Sequence, residues 1–154
     1  MEFGGWDIII TLIIASYGAV VSTISIWYTR KEHKREVKVT LSFGLIKQIS
    51  VSPPQIFLEA LNIGSKTVTL SSFGLNLPNK KNMYFPNPNS NAPFPHELLE
   101  GKSVSVWIDA KELAKNLKQE GYSGMISYKG FYKDAIGNVY RSKEEKFDIE
   151  GWSK

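Results

Sequence analysis

Residues 6–28 read WDIIITLIIASYGAVVSTISIWY, 23 residues in which Asp7 is the one charge. At 1.5 Å per residue, a helix of this length covers a hydrocarbon core about 30 Å thick. Trp6 at one end and Trp27–Tyr28 at the other suit the two membrane interfaces, where amphipathic rings are favoured. The stretch predicts a single transmembrane helix, and a run this long exceeds what a small domain buries. A cleaved signal peptide opens on basic residues and a shorter apolar run. This chain opens on the acidic MEFGGWD, with no small-x-small site after the run.

The next ten residues, 29–38, are TRKEHKREVK. Arg30, Lys31, Lys34, Arg35 and Lys38 place this end on the cytoplasmic side by the positive-inside rule. The expected topology in the cell (inner) membrane is therefore N-terminus outside and C-terminal domain in the cytoplasm. The same five cations are candidates for anionic headgroups, each contributing about 1 kcal/mol near the surface. A simple topology determinant is the plainer reading. His33 is a candidate pH sensor, with a solvated imidazole as the plainer alternative. Three regions follow: 1–29, a transmembrane helix with a short outer N-terminus; 30–36, a basic linker continuing the helix or forming a charged stalk; and 37–154, a β-sandwich.

The helix is not uniform around its circumference. At 100° per residue, Thr11, Ala15, Gly18, Ser22, Ser25 and Thr29 form one stripe, which Ser16, Ala19 and Thr23 widen. Ile9, Ile10, Ile13, Val20, Val21, Ile24 and Trp27 lie largely opposite. Lipid gives no reason for such segregation, whereas close helix packing does, because small side chains let backbones approach. The heptad-like spacing favours a left-handed bundle. Three readings stand: a packing seam in a homo-oligomer or against another membrane protein, a pore lined by hydroxyls, and chance enrichment in a lone anchor. No ionisable residue in mid-membrane strengthens the pore.

The chain has 154 residues and no cysteine, which excludes disulfides, thiolate nucleophiles and cysteine metal sites. Glu2 and Asp7 are the only charged residues before Arg30. All 19 Lys and Arg, and 13 of the 15 Asp and Glu, therefore follow, a net charge of +6. Such a balance favours anionic headgroups or nucleic acid, or is the ordinary surface of a positive-inside anchor. His33 and His96 do not suggest a metal site. The sequence holds no GxxxxGK[ST], no GxGxxG after a strand, no HExxH and no GxSxG, so neither an enzyme nor a cofactor is expected. Glu144–Glu145 sit among lysines and read as a solvated face rather than an acid/base pair.

Beyond the linker the pattern turns to strands. Val37, Val39, Leu41, Phe43 and Leu45 alternate with polar residues or glycine, a half-buried strand. Pro53–Pro54 breaks it, residues 56–63 read as the next strand, and residues 66–77 as a third with a bulge expected at Gly74. Residues 78–95, rich in Asn and Pro, predict an irregular loop with a short strand at MYF. Its Tyr84, Phe85 and Phe94 form either a partner surface for a base or peptide, or a cap on the core. GKSVSVWID (101–109) returns to strand alternation through Val104, Val106 and Ile108. In DAKELAKNLKQEG, Asp109 and Glu112 have capping-box spacing, Ala110, Leu113, Ala114 and Leu117 define one apolar face, and Gly121 ends the helix. A hairpin follows with its tip at residues 134–138, where Asp134, Gly137 and Asn138 serve turn geometry or, less simply, a cation. Phe147 and Ile149 are expected to close the last strand.

About seven short strands with regular turns predict an all-β immunoglobulin-like sandwich with one short inserted helix. The segments LEGKSVSVWID (99–109) and YKDAIGNVYRS (132–142) carry a resemblance to small prokaryotic membrane-anchored proteins with a cytoplasmic Ig-like domain. The resemblance covers most of the soluble part and brings no functional residue across. Two functions are expected from this layout. The first is a homo-oligomeric membrane effector or sensor, as in prokaryotic antiviral defence, whose sandwich binds a cytosolic protein or small ligand and whose clustered helices signal or form a pore. The second is a passive membrane tether whose sandwich recruits a cytosolic protein or nucleic acid.

Overall fold

A computed structural model describes residues 5–32, 34–44, 54–85 and 89–152. His33, Leu45 and Pro53, named above, lie outside the described residues. The chain divides into two units, Met1–Lys34 and Arg35–Lys154.

The first unit is helix α1 (Gly5–Glu32). It runs past Tyr28 through Arg30 and Lys31, so the helical backbone continues into the basic linker. Asp7 falls in its first turn, where a carboxylate suits the positive end of the helix dipole. The large apolar side chains of α1, from Trp6 to Tyr28, are all exposed. The span Gly5–Thr29 is long and apolar enough to cross a membrane.

The second unit runs β1 (Val37–Gly44), β2 (Gln55–Asn62), β3 (Val68–Asn76), a 3₁₀ turn (Pro78–Lys80), β4 (Asn82–Tyr84), β5 (Asn89–Ser90), β6 (His96–Leu98), β7 (Ser103–Asp109), α2 (Ala110–Gln119), β8 (Met125–Asp134), β9 (Val139–Arg141), β10 (Glu145–Asp148) and α3 (Ile149–Trp152). The strands form two antiparallel sheets. One has the order β1-β2-β7-β5. The other has the order β10-β8-β3-β4, with β6 also on β3 and β9 also on β8.

Period-two alternation turns one face of each sheet to a shared core. Val37, Val39, Leu41, Ile56, Leu58, Val104 and Val106 come from the first sheet; Val68, Leu70, Phe73, Leu75, Ile126 and Tyr132 come from the second. Burying each such side chain is favourable by about 1.5–3 kcal/mol. The Tyr132 hydroxyl donates to the Leu58 carbonyl (2.7 Å), tying one sheet to the other. Buried Asn62 is fully used: its amide donates to the carbonyls of Lys66 (2.8 Å) and Leu98 (2.9 Å) and its oxygen accepts from the Gly64 N–H (3.0 Å).

The bulge in β3 lies between Leu70 and Ser72, not at Gly74. The apolar residues show why. Val68 and Leu70 face the core on even positions and Phe73, Leu75 and Leu77 on odd ones. One extra residue, Ser71, resets the phase so that both sets point inward. Its hydroxyl donates to the Lys133 carbonyl (3.1 Å). Gly74 answers a different need, close approach: a Cβ there would strike the Met83 carbonyl oxygen and lie 3.1 Å from the Phe131 ring.

Helix α2 forms where the apolar spacing predicts it, with Ala110, Leu113, Ala114 and Leu117 buried. The Asp109 carboxylate accepts from the N–H groups of Lys111 (2.7 Å) and Glu112 (3.2 Å). At the other end the Gly121 N–H donates to the Lys118 carbonyl and the Tyr122 N–H to the Leu117 carbonyl, a Schellman ending with Gly121 at φ +86°. Asp109→Ala is expected to cost about 1 kcal/mol. Urea unfolding of the full chain in detergent, followed by circular dichroism, checks this.

The described strands exceed the seven expected, because β4, β5, β6 and β9 have only two or three residues. Ile149 is buried as expected but opens α3 instead of ending a strand, so the inserted helix is accompanied by a second, one-turn helix.

Candidate ligand groove and membrane helix face

On α1, Thr11, Ala15, Gly18, Ala19, Ser22 and Ser25 are all exposed. Four hydroxyls of the helix bond backwards to its own carbonyls: Thr11 to Asp7 (2.7 Å), Ser16 to Leu12 (2.7 Å), Thr23 to Ala19 (2.8 Å) and Thr29 to Ser25 (2.9 Å). Each hydroxyl proton is thereby satisfied without water or a neighbour. Ser22 and Ser25 make no side-chain hydrogen bond among the described residues, and a Cβ added at Gly18 would meet nothing within 4 Å. Beyond the helix, Lys34, Arg35 and Lys38 are exposed, and Arg30 and Lys31 have helical backbone.

The three loop aromatics separate. Phe85 and Phe94 are half-buried and pack on Phe73, with ring centroids at 6.1 and 4.8 Å. Tyr84 stands 55 % exposed and meets the Phe131 ring edge-on at 5.6 Å.

The second sheet carries a groove that sequence reasoning missed. Strand β8 runs on past its last pair with β3, Asn76 opposite Lys129, while the chain turns away through the 3₁₀ segment. The opening is a groove of about 580 Å³. Lys80 and the Asn76–Asn82 pair line one side, Ser127, Tyr128 and Lys129 the strand, with Arg141 and Glu144 also in the lining. Three cations thus face one carboxylate. Lys129 and Glu144 form an ion pair at 3.4 Å, with their side chains 43 % and 57 % exposed. An exposed pair of this kind contributes at most about 1 kcal/mol.

The turn that presents Lys80 is held from several directions. The Asn76 amide donates to the Asn82 side-chain oxygen (2.5 Å), the Leu77 N–H to the Lys81 carbonyl (2.8 Å) and the Tyr122 hydroxyl to the Pro78 carbonyl (3.3 Å). Asn79 and Lys80 both take left-handed backbone conformations, φ 65° and 60°. For residues other than glycine this costs on the order of 1–3 kcal/mol each and persists only where surrounding contacts enforce it. Two buried polar atoms of the lining residues, the Asn76 Oδ1 and the Tyr128 hydroxyl, have no hydrogen-bond partner among the described residues. Burial first, and the Glu145 charge second, push the Tyr128 hydroxyl far above its ordinary pKa, so it stays protonated and able to donate.

The hairpin tip is a closed arrangement by contrast. One Asp134 oxygen accepts from the N–H groups of Ile136 (3.1 Å) and Asn138 (2.8 Å); the other accepts from the Asn138 amide (2.9 Å) and the Tyr140 hydroxyl (3.1 Å). Burial alone would raise this carboxyl, but the four donors outweigh it and hold it below its ordinary pKa. Both oxygens serve the turn. Among the described residues, no group of three acidic or histidine side chains could hold a metal ion.

The groove escaped sequence reading because its cations come from a turn, a long strand and a hairpin return, with no shared periodicity. The one signal available was Lys80–Lys81 between two asparagines inside an otherwise loop-like stretch. No protein-family model matches the chain, and no curated protein matches it either.

Proposed function

We propose that the chain is a homo-oligomeric single-pass membrane sensor or effector. Its β unit, read as an Ig-like sandwich, binds a cytosolic partner or ligand, and its helices associate through the stripe that includes Gly18, Ser22 and Ser25. The observation that carries the reading is the uneven satisfaction of the helix hydroxyls. Thr11, Ser16, Thr23 and Thr29 are closed on their own backbone, whereas Ser22 and Ser25, one turn apart beside Gly18, keep hydrogen-bonding capacity for a neighbouring helix. The Lys and Arg that follow the helix support an N-terminus outside and a β unit in the cytoplasm of the cell membrane.

In detergent the full chain is expected to run as one defined oligomer by light scattering. The double change Gly18→Leu with Ser22→Leu is expected to shift most of it to monomer. A wild-type monomer, or an oligomer indifferent to the double change, overturns the reading. The passive tether is the second reading, favoured by the four self-bonded hydroxyls, which let a lone helix rest in lipid. It predicts that an unrelated apolar helix in place of residues 5–29 preserves function. In the sensor reading the transplant abolishes it.

A further inference from the structure

We propose that the groove between the 3₁₀ turn and β8 binds a small phosphorylated ligand, its phosphate held by Lys80, Lys129 and Arg141 and its polar body facing Asn76 and Asn82. This rests on reading the β unit as the ligand-binding part of a membrane sensor, and it names the ligand class.

Four features of the groove agree. Its lining sets three cations against one carboxylate, so an anion is favoured over a cation. Its volume, about 580 Å³, lies in the range of small-molecule sites and suits a nucleotide-sized molecule better than a lone ion. The Lys129–Glu144 pair is exposed and weak, so Lys129 can exchange the Glu144 carboxylate for a phosphate oxygen at little cost. Finally, the strained Asn79–Lys80 backbone, fixed by the contacts of its turn, holds a cation among the lining residues. Among the described residues of the lining, Glu144 is the only anion set against the three cations.

One phosphate chemistry has two natural sources here, a soluble nucleotide and a phospholipid headgroup. The test therefore titrates the full chain in neutral detergent by calorimetry with inorganic phosphate, each of the four ribonucleoside 5′-monophosphates, their unphosphorylated nucleosides, and glycerol 3-phosphate as the headgroup probe. At least one phosphate ester is expected to bind, and its dephosphorylated counterpart to bind at least about tenfold more weakly, since hydrogen bonds to charged groups carry this much. A nucleotide preference assigns the soluble source; a glycerol 3-phosphate preference assigns the headgroup.

Lys129→Gln and Arg141→Gln are each expected to weaken the ester about tenfold with an unchanged melting temperature. Glu144→Gln is expected to strengthen it by freeing Lys129, an effect that a structural role for the pair would not produce. Saturation by no phosphate ester, equal affinity for ester and nucleoside, or indifference to all three substitutions overturns the inference. The same samples are weighed by light scattering. A monomer that binds the ester overturns only the oligomer reading; an oligomer that binds none overturns only this one.

Discussion

Gly74→Val is expected to destabilise the β unit by about 3 kcal/mol, at the upper end of the cost of overpacking a filled site. The cause is backbone, not a movable side-chain tip. A Cβ at residue 74 would collide with the carbonyl oxygen of Met83 on the adjacent strand and press the Phe131 ring from 3.1 Å. Relief requires β4 to leave β3, where Gly74 pairs with Tyr84 and Asn76 with Asn82. The damage therefore reaches one side of the groove, because Asn76 and Asn82 line it. Urea unfolding of the full chain in detergent, read by tryptophan fluorescence, should show the midpoint fall for valine and fall less for alanine. An unchanged midpoint for valine would refute the close approach.

Asp134→Ala is expected to cost about 1–2 kcal/mol, because it removes the charged acceptor of four hydrogen bonds whose donors lie on exposed or half-buried residues. Only 3 % of Asp134 is exposed, and its two oxygens together accept four hydrogen bonds. Asn is a poor substitute, since its amide brings an NH₂ where two of the four donors converge. The pH dependence follows from the lowered folded pKa. In the unfolded chain the carboxyl takes its ordinary value, about 3.9. Between the folded and unfolded values the unfolded state binds more protons, so stability rises with pH across that window. The contribution of Asp134 is thus fully present above the unfolded value and is lost as pH falls through the folded one. Wild type should lose stability from pH 4 to pH 2 more steeply than Asp134→Ala. Parallel acid profiles would show that the four donors do not act on the charge.

What could be read without coordinates divides by length and periodicity. Helix α1 is legible from its long, nearly uncharged apolar run, and helix α2 because its apolar residues recur at helical spacing and Asp109 and Gly121 mark its ends. Strands β1, β2 and β7 were legible because seven or eight residues suffice to display alternation. Strands β4, β5 and β6 carry two or three residues each, too few to establish a period, and owe their existence to β3 and β7 beside them. The bulge is marked in the sequence not by Gly74 but by the change of parity of the apolar residues between Leu70 and Phe73. Phe85, Phe94 and Tyr84 read alike as letters and differ only in what lies beneath them: Phe73 for the first two, the rim of Phe131 for the third. The groove required knowing where β3 leaves β8, a tertiary fact that no local pattern records.

The backward bonds of Thr11, Ser16, Thr23 and Thr29 bear on how the apolar span Gly5–Thr29 would enter a bilayer. Hydroxyls that reach their own carbonyls carry little penalty on leaving water, so the span can enter the bilayer during synthesis as a solitary segment. In the proposed oligomer, assembly through Gly18, Ser22 and Ser25 would then be a later, separate step governed by how many copies share the bilayer. Under that proposal, abundance rather than insertion would set when the oligomer forms.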